Sequence, residues 1–258
     1  MDLEAALKDT PYKSRLDIIK KRSEEMWKKG AFHHTYYTLH GMDHSRAVIS
    51  ILDGLVDGID PDRRLTKPEI FYLLASVYLH DVGMLRSHLD DEDRAKEISA
   101  REKRPYSKED LIRDKHHLRS GEYVTEHAEK LNLDPVESGC VKLICEGHRV
   151  VKLDTEDYDG ILIGSNERIR VRMLAALLRF SDELDVSYQR APRELMDLLE
   201  GEMPDYSRLQ WLKHYYTRGV GVSVQQSNGM RETLVEIQTH HPDRKRGRKI
   251  TEELIFKP

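Results

Sequence analysis

A histidine followed directly by an aspartate, His80-Asp81, closes an apolar run over residues 70–79. Neighbouring side chains on a helix point about 100° apart, so a pair in mid-helix rarely shares a target. At a helix end, with Gly83 free to adopt a left-handed turn, both side chains can approach one cation. An imidazole beside a carboxylate suits a divalent transition metal, Mn, Fe, Co, Ni or Zn, better than calcium. The pair therefore predicts a metal site.

Further histidine and aspartate residues fall at or near the ends of separate predicted helices, namely His44, His117, His148 and Asp182. With the His80-Asp81 pair they give four histidines and two carboxylates, which suit one or two transition metal ions.

Other histidine and aspartate residues are predicted to have roles other than binding the metal ion. His116 is predicted to face solvent or to orient a neighbour. Asp185 either hydrogen-bonds a ligand histidine or caps a helix, and His40 either supports a ligand or belongs to an aromatic loop. His33 and His34 are predicted to be surface residues.

Capping signals and helical periodicity predict the elements that must position these residues. Capping residues predict that helices begin at Thr66-Lys67-Pro68-Glu69, at Ser107 and at Asp134. Apolar spacing adds helices over residues 17–29, 42–55 and 167–184. Gly41 is expected to leave His40 outside the second of these helices.

Three segments do not show this spacing. Residues 86–106 are mostly charged and are predicted to be a loop, a surface helix or a lid. Residues 149–164 indicate a loop or a short hairpin. Alternation over 220–224 and 234–237, separated by a turn at Asn228-Gly229, predicts a β-hairpin near residues 218–238. The predicted fold is therefore all-α, a helical bundle over 1–210 with a small β-hairpin extension over 211–258 packed on it.

The amino-acid composition narrows the classes of protein to which this sequence can belong. The 258 residues are 34% charged, with a formal net charge of −4 and two cysteines. The charge argues against a general nucleic-acid coat. No apolar run reaches the roughly 18 residues of a membrane span, and no disulfide framework is implied, so a cytoplasmic protein is expected. The oligomeric state is left open, a homo-oligomer included.

As an ordered set, these residues resemble the HD-domain metal-dependent phosphohydrolases. His44 resembles the first ligand of that family, His80-Asp81 the pair that names it, and Asp182 the closing aspartate. His117 and His148 resemble the extra histidines of its two-metal members. The likeness covers about residues 38–192 and continues in the style of a bacterial and archaeal subgroup with a β-hairpin after the bundle.

The sequence departs from some members of that family. Met84 stands where two-metal relatives often have lysine, and the Gly-Tyr-Pro motif of the cyclic-di-GMP phosphodiesterases is absent. Gly147 precedes His148 where relatives carry paired histidines. We therefore expect one tightly and one weakly bound metal ion.

The resemblance implies hydrolysis of a phosphomonoester or phosphodiester in a small, nucleotide-like substrate by metal-activated water. His80 and Asp81 would act at the metal. Candidate groups for the phosphate charge are Arg46, Lys115, Arg149 and Arg190, of which Lys115 and Arg149 are also candidate catalytic residues. Two alternatives stay open, a di-iron HD-type oxygenase and a non-catalytic nucleotide-binding regulatory module.

Overall fold

The computed structural model describes residues 1–30, 36–163, 167–199, 201–227, 230–241, 243–250 and 252. In this part of the chain the fold is all-α with small antiparallel hairpins, which confirms the predicted fold class. His33 and His34, and the predicted turn at Asn228-Gly229, lie outside the described residues. Among the helices of the described part, none combines the length and the apolar character needed to cross a membrane.

The elements follow one another along the chain. The helices are α1 (Pro11–Lys29), α2 (Met42–Asp57), α3 (Lys67–Leu79), α4 (Asp91–Glu102), α5 (Lys108–Glu126), α6 (Pro135–Gly147), α7 (Val171–Leu184), α8 (Arg193–Leu199), α9 (Asp205–Tyr215) and α10 (Arg244–Ile250). The strands are β1 (Ile161–Ile163), β2 (Glu167–Ile169), β3 (Thr217–Ser227) and β4 (Met230–Thr239).

Two compact units divide the chain. The helical unit consists of residues 2–33 and 65–180, and the hairpin unit of Met1 and residues 34–64 and 181–258. These limits differ from the predicted division at residue 210, which stays a prediction about domains.

Helix α3 is the centre of the helical unit. Every residue from Pro68 to Leu79 is buried, as expected for a helix that is apolar on all sides. Helices α1 and α6 pack on α3, α5 packs on α6, and α4 packs on α5. The element that ends at the His-Asp pair is thus enclosed by its neighbours.

Hydrogen-bonded caps fix where the helices of this unit begin. Capping boxes form at Thr66, Ser107 and Asp134, which are the three helix starts that capping signals predict. The buried Glu69 side chain accepts hydrogen bonds from the Thr66 backbone N–H at 3.0 Å and from Arg170 Nε at 2.8 Å. The start of α3 is therefore tied to the residue before α7.

In two segments the observed secondary structure decides between the predicted alternatives or corrects them. The charged stretch 86–106 contains the helix α4, in agreement with the surface-helix alternative. Residues 161–163 and 167–169 pair as two short antiparallel strands, with Ile161 opposite Ile169. The predicted helix start at Glu167 is wrong, because Glu167–Ile169 pairs as β2 and α7 begins at Val171.

In the hairpin unit, α2 packs on β3. The apolar cluster between them consists of Ile51, Leu55, Leu184, Val220, Val222, Val235 and Ile237. Valines at alternate positions of β3 face this cluster, as period-two alternation predicts. A second cluster, Ala191, Met196, Met203 and Trp211, packs α8 and α9 together.

Candidate metal centre

The His80-Asp81 pair lies at the C-terminal end of α3, as predicted. His80 is the C-cap of α3, and Asp81 precedes a 3-10 turn over Val82–Leu85. Both side chains are buried, and His80 Nε2 lies 3.3 Å from Asp81 Oδ2. Ending the helix at this point lets two successive side chains face the same space.

A close approach between this turn and α5 holds the pair in place. Ser120 Oγ donates to the His80 carbonyl oxygen at 2.5 Å and accepts from the Gly83 backbone N–H at 2.9 Å. A Cβ at Gly83 would lie 2.0 Å from the His116 carbonyl oxygen. The expectation of a left-handed Gly83 is wrong, since its φ is not positive. Glycine is needed there because two backbone segments touch.

Three buried histidines of this unit have the same ring orientation. In each, Nδ1 faces the carbonyl oxygen three residues earlier, with distances of 2.8 Å for His80, 2.6 Å for His116 and 2.5 Å for His148. A carbonyl oxygen only accepts hydrogen bonds, so each Nδ1 carries the proton. In the neutral rings, Nε2 then presents a lone pair.

The Nε2 atoms of these rings converge on Asp81. His116 Nε2 lies 3.1 Å and His148 Nε2 3.8 Å from Asp81 Oδ1, and the two Nε2 atoms are 3.0 Å apart. Ligand atoms of His80, Asp81 and His148 all lie within 4.8 Å of one another. A single proton would relieve one of these contacts between acceptors, whereas a divalent cation would relieve them together. The cluster therefore fits a transition metal ion.

Of the two adjacent histidines of α5, the structure places His116 in the cluster, whereas the sequence predicts His117 as the ligand. His116 is buried with its Nε2 in the cluster, so the expected solvent position is wrong.

The ring of His117 is centred 6.0 Å from that of His116 and 6.2 Å from that of His148. Its buried Nδ1 has no hydrogen-bond partner within the described residues. Burial, reinforced by the charges of His116 and Arg149, lowers the pKa of His117 to about 3. The ligand role of His117 stays a prediction.

The two cationic candidates of the helical unit differ in their surroundings. Arg149 Nη1 donates at 2.6 Å to the Arg113 carbonyl oxygen, which also accepts from His116 Nδ1. Arg149 thus holds in place the Arg113 carbonyl oxygen that orients the His116 ring. Lys115 is exposed on α5. The roles of both toward a phosphate stay predictions.

In the hairpin unit, His44 lies between two carboxylates. The ring is buried in the first turn of α2, with Nδ1 2.7 Å from Asp185 Oδ2 and Nε2 3.1 Å from Asp182 Oδ1. Burial alone would raise the pKa of Asp185, but the hydrogen bond to His44 and the charges of His44 and Arg190 outweigh it and hold the pKa below its usual value. An ionised Asp185 accepts the Nδ1 proton, and Nε2 is the ring nitrogen of His44 that faces Asp182. A carboxylate behind a histidine is a common support for a metal ligand.

The remaining candidates of this unit surround His44. The backbone of Gly41 has φ 140°, a conformation that favours glycine, and it places His40 before α2 as predicted. His40 Nε2 accepts from Arg190 Nη2 at 2.8 Å. Arg190 also donates to the carbonyl oxygens of Leu39 and Asp185. Arg46 is exposed and pairs with Asp43 at 2.6 Å.

An all-α fold with buried groups of imidazoles and carboxylates defines a helical protein with sites that can hold a metal ion. A family model named HD-CE matches residues 34–256, most of the sequence, and the chain belongs to the HD-CE family. No curated protein and no solved structure matches it. The HD-type domain confirms the resemblance and, with the clusters, indicates a metal-dependent hydrolase.

Proposed function

We propose that this chain is a phosphohydrolase that cleaves a phosphomonoester or phosphodiester of a nucleotide-like substrate by attack of water on phosphorus. One observation carries the proposal: three buried Nε2 atoms converge on the carboxylate of Asp81. This donor set suits Mn, Fe, Co, Ni or Zn. The HD-type family supports metal-dependent hydrolysis in general.

The proposed ligands come from two lines of argument. The geometry of the helical unit supports a role for His80, Asp81, His116 and His148. The order of the sequence motif supports His44 and Asp182, and the support that Asp185 gives to the His44 ring agrees with it. His117 is retained as a ligand of a second, more weakly bound ion.

The chemistry follows from these groups. When bound, a divalent ion lowers the pKa of its water from about 15.7 toward about 7 and polarises a phosphoryl oxygen. The carboxylate of Asp81 accepts the proton that the attacking water loses. The water oxygen forms the new bond to phosphorus, the bond to the leaving oxygen breaks, and that oxygen takes up a proton from solvent.

The four cationic candidates divide into two kinds. Arg46 and Lys115 are exposed, which supports contact with a substrate phosphate. Arg149 and Arg190 already donate to backbone carbonyl oxygens. We assign these two to positioning His116 and the residues around His44, respectively.

The test is metal analysis of the purified protein, followed by turnover of a panel of nucleotides and cyclic nucleotides with and without oxygen. We expect Mn-supported hydrolysis that a chelator abolishes. His80→Ala and Asp81→Ala should each reduce the rate to background without unfolding the protein. The control is His240→Ala, which removes an exposed histidine of the hairpin unit.

Other outcomes identify the alternatives. Turnover that requires oxygen would contradict the proposal and favour an oxygenase of the HD type. Tight nucleotide binding without turnover by the metal-loaded protein would contradict it in favour of a regulatory module.

A further inference from the structure

A cavity of about 740 Å³ lies within the hairpin unit. Its walls come from residues 39–51, residues 185–190 and the first residues of β3 at 218–220. Small-molecule sites commonly enclose about 300–1,000 Å³. The cavity is therefore large enough for a ligand of nucleotide size, and His44 lines it.

The cavity is cationic. Three guanidinium groups, those of Arg46, Arg190 and Arg218, line it against two carboxylates, those of Asp43 and Asp185. Asp185 is occupied by His44, and the exposed pair of Arg46 with Asp43 contributes little energy and can open. The side chain of Arg218 is exposed, and within the described chain it has no hydrogen-bond or ion-pair partner. Its charge is available to a ligand.

A β-bulge directs Arg218 into this position. Thr217 pairs with Thr239 and Gly219 with Gln238, which leaves Arg218 as the extra residue between two pairs. In a regular strand Arg218 would share the core-facing side of Val220 and Val222, two and four residues on. A bulge changes the direction of a side chain and is frequent beside binding sites.

The cavity wall also has a flat aromatic group. Tyr188 lines it with 46% of its surface exposed, next to the amide of Gln189. An exposed aromatic ring offers stacking to a nucleobase, worth about 1–3 kcal/mol per base in single-stranded nucleic-acid complexes. A cationic side chain without a partner in the described chain, that of Arg218, and a stacking surface occur together in one cavity.

We propose that this cavity binds the non-reacting part of a nucleotide that carries at least two phosphate groups, with one phosphate on Arg218 and Arg46 and the base on Tyr188. The inference rests on the proposed function for the identity of the reacting phosphate. The cavity itself belongs to the hairpin unit, so its binding can be measured separately from hydrolysis.

The experiment compares adenosine 3′,5′-bisphosphate with adenosine 5′-monophosphate on the full chain, by calorimetry in EDTA and by turnover with Mn. Arg218→Gln should weaken bisphosphate binding about 10–100-fold, the range of a lost charge-assisted hydrogen bond. In turnover with Mn, KM for the bisphosphate should rise by the same factor with little change in kcat. The single phosphate of the monophosphate is the reacting one in turnover, so the KM for the monophosphate should change by less than about threefold. Tyr188→Ala should weaken both ligands, and Tyr188→Phe neither.

The control is Arg193→Gln, an exposed arginine on α8 that does not line the cavity. Equal affinity of the wild type and Arg218→Gln for the bisphosphate would overturn the inference even if hydrolysis occurs. Failure of the wild type to bind either nucleotide would also overturn it. Binding that depends on Arg218, in a protein that hydrolyses nothing, would support the cavity and refute the proposed function.

Discussion

Replacing Gly83 by alanine tests whether the contact between the His80-Asp81 turn and α5 maintains the metal cluster. The added Cβ would lie 2.0 Å from the His116 carbonyl oxygen and 2.8 Å from the Ser120 backbone nitrogen. Carbon–oxygen contacts are normally about 3.3 Å or longer, so the two segments must separate by roughly 1 Å. Both obstacles are backbone atoms, and therefore no side-chain rotation relieves the overlap.

The cost has two parts. Overpacking of this kind destabilises a protein by about 1–3 kcal/mol. Loss of the hydrogen bond from the Gly83 N–H to Ser120 adds about 1 kcal/mol. The total of about 2–4 kcal/mol lowers the Tm of a chain of this size by roughly 4–16 °C. Separation of the turn from His116 should also weaken Mn binding about 10–100-fold, as other losses of ligand support do.

Thermal denaturation and Mn titration of Gly83→Ala check these values. Gly139→Ala is the matched control, since it lies within α6 and a Cβ there meets nothing within 4 Å. Alanine exceeds glycine in helix propensity by about 1 kcal/mol, so the control should keep or raise the Tm. A Gly83→Ala protein with the Tm and Mn affinity of the wild type would refute the reasoning.

Asp182→Ala should remove the tighter Mn binding step, whereas Asp185→Asn should weaken it about 10–100-fold at most. Equal retention of metal by the two variants would contradict the assignment of Asp182 as the ligand and Asp185 as its support. His116→Ala should weaken Mn binding at least about tenfold, and His117→Ala should affect only a weaker second step, as isothermal titration would show. Burial alone would raise the pKa of Asp91, but its hydrogen bonds to a buried arginine and a backbone N–H outweigh this and lower the pKa. The stability from Asp91 is thus present above its unfolded pKa of about 3.9 and lost as the pH falls through the lower folded value. Asp91→Asn should cost about 3 kcal/mol at pH 7 in urea denaturation, and the difference should shrink below about pH 4; a difference independent of pH would contradict this.

Much of the fold was predictable because its signals are local. A capping box needs only residues three apart; the predicted box at Thr66 forms, and boxes also form at the predicted helix starts Ser107 and Asp134. Strand β2 was missed because Glu167–Ile169 is too short for period-two alternation to stand out from the helix that follows. Its strand character comes from pairing with β1, a contact that single-residue patterns do not encode.

The choice between His116 and His117 was not predictable from periodicity alone. Helix α5 buries residues on several sides, so both positions are consistent with a core. The signal that favours His116 is its spacing from Ser120 four residues later, because positions i and i+4 share a face. Ser120 is small enough to let the turn at Gly83 approach α5 closely. Choosing His116 on this ground requires knowing that α5 contacts the turn at Gly83, which is a contact between segments distant in the sequence.

The orientation of His80 and His148 has a common physical origin. The last carbonyl oxygens of a helix have no partner inside the helix, and a histidine at the C-cap can satisfy one of them through Nδ1. His80 and His148 are the C-caps of α3 and α6, and both do so. The hydrogen bond that ends each helix also leaves Nε2 as the acceptor. Capping the helix and preparing the ring for a metal ion are therefore one interaction, which explains why histidine at the end of an apolar helix is informative in this sequence.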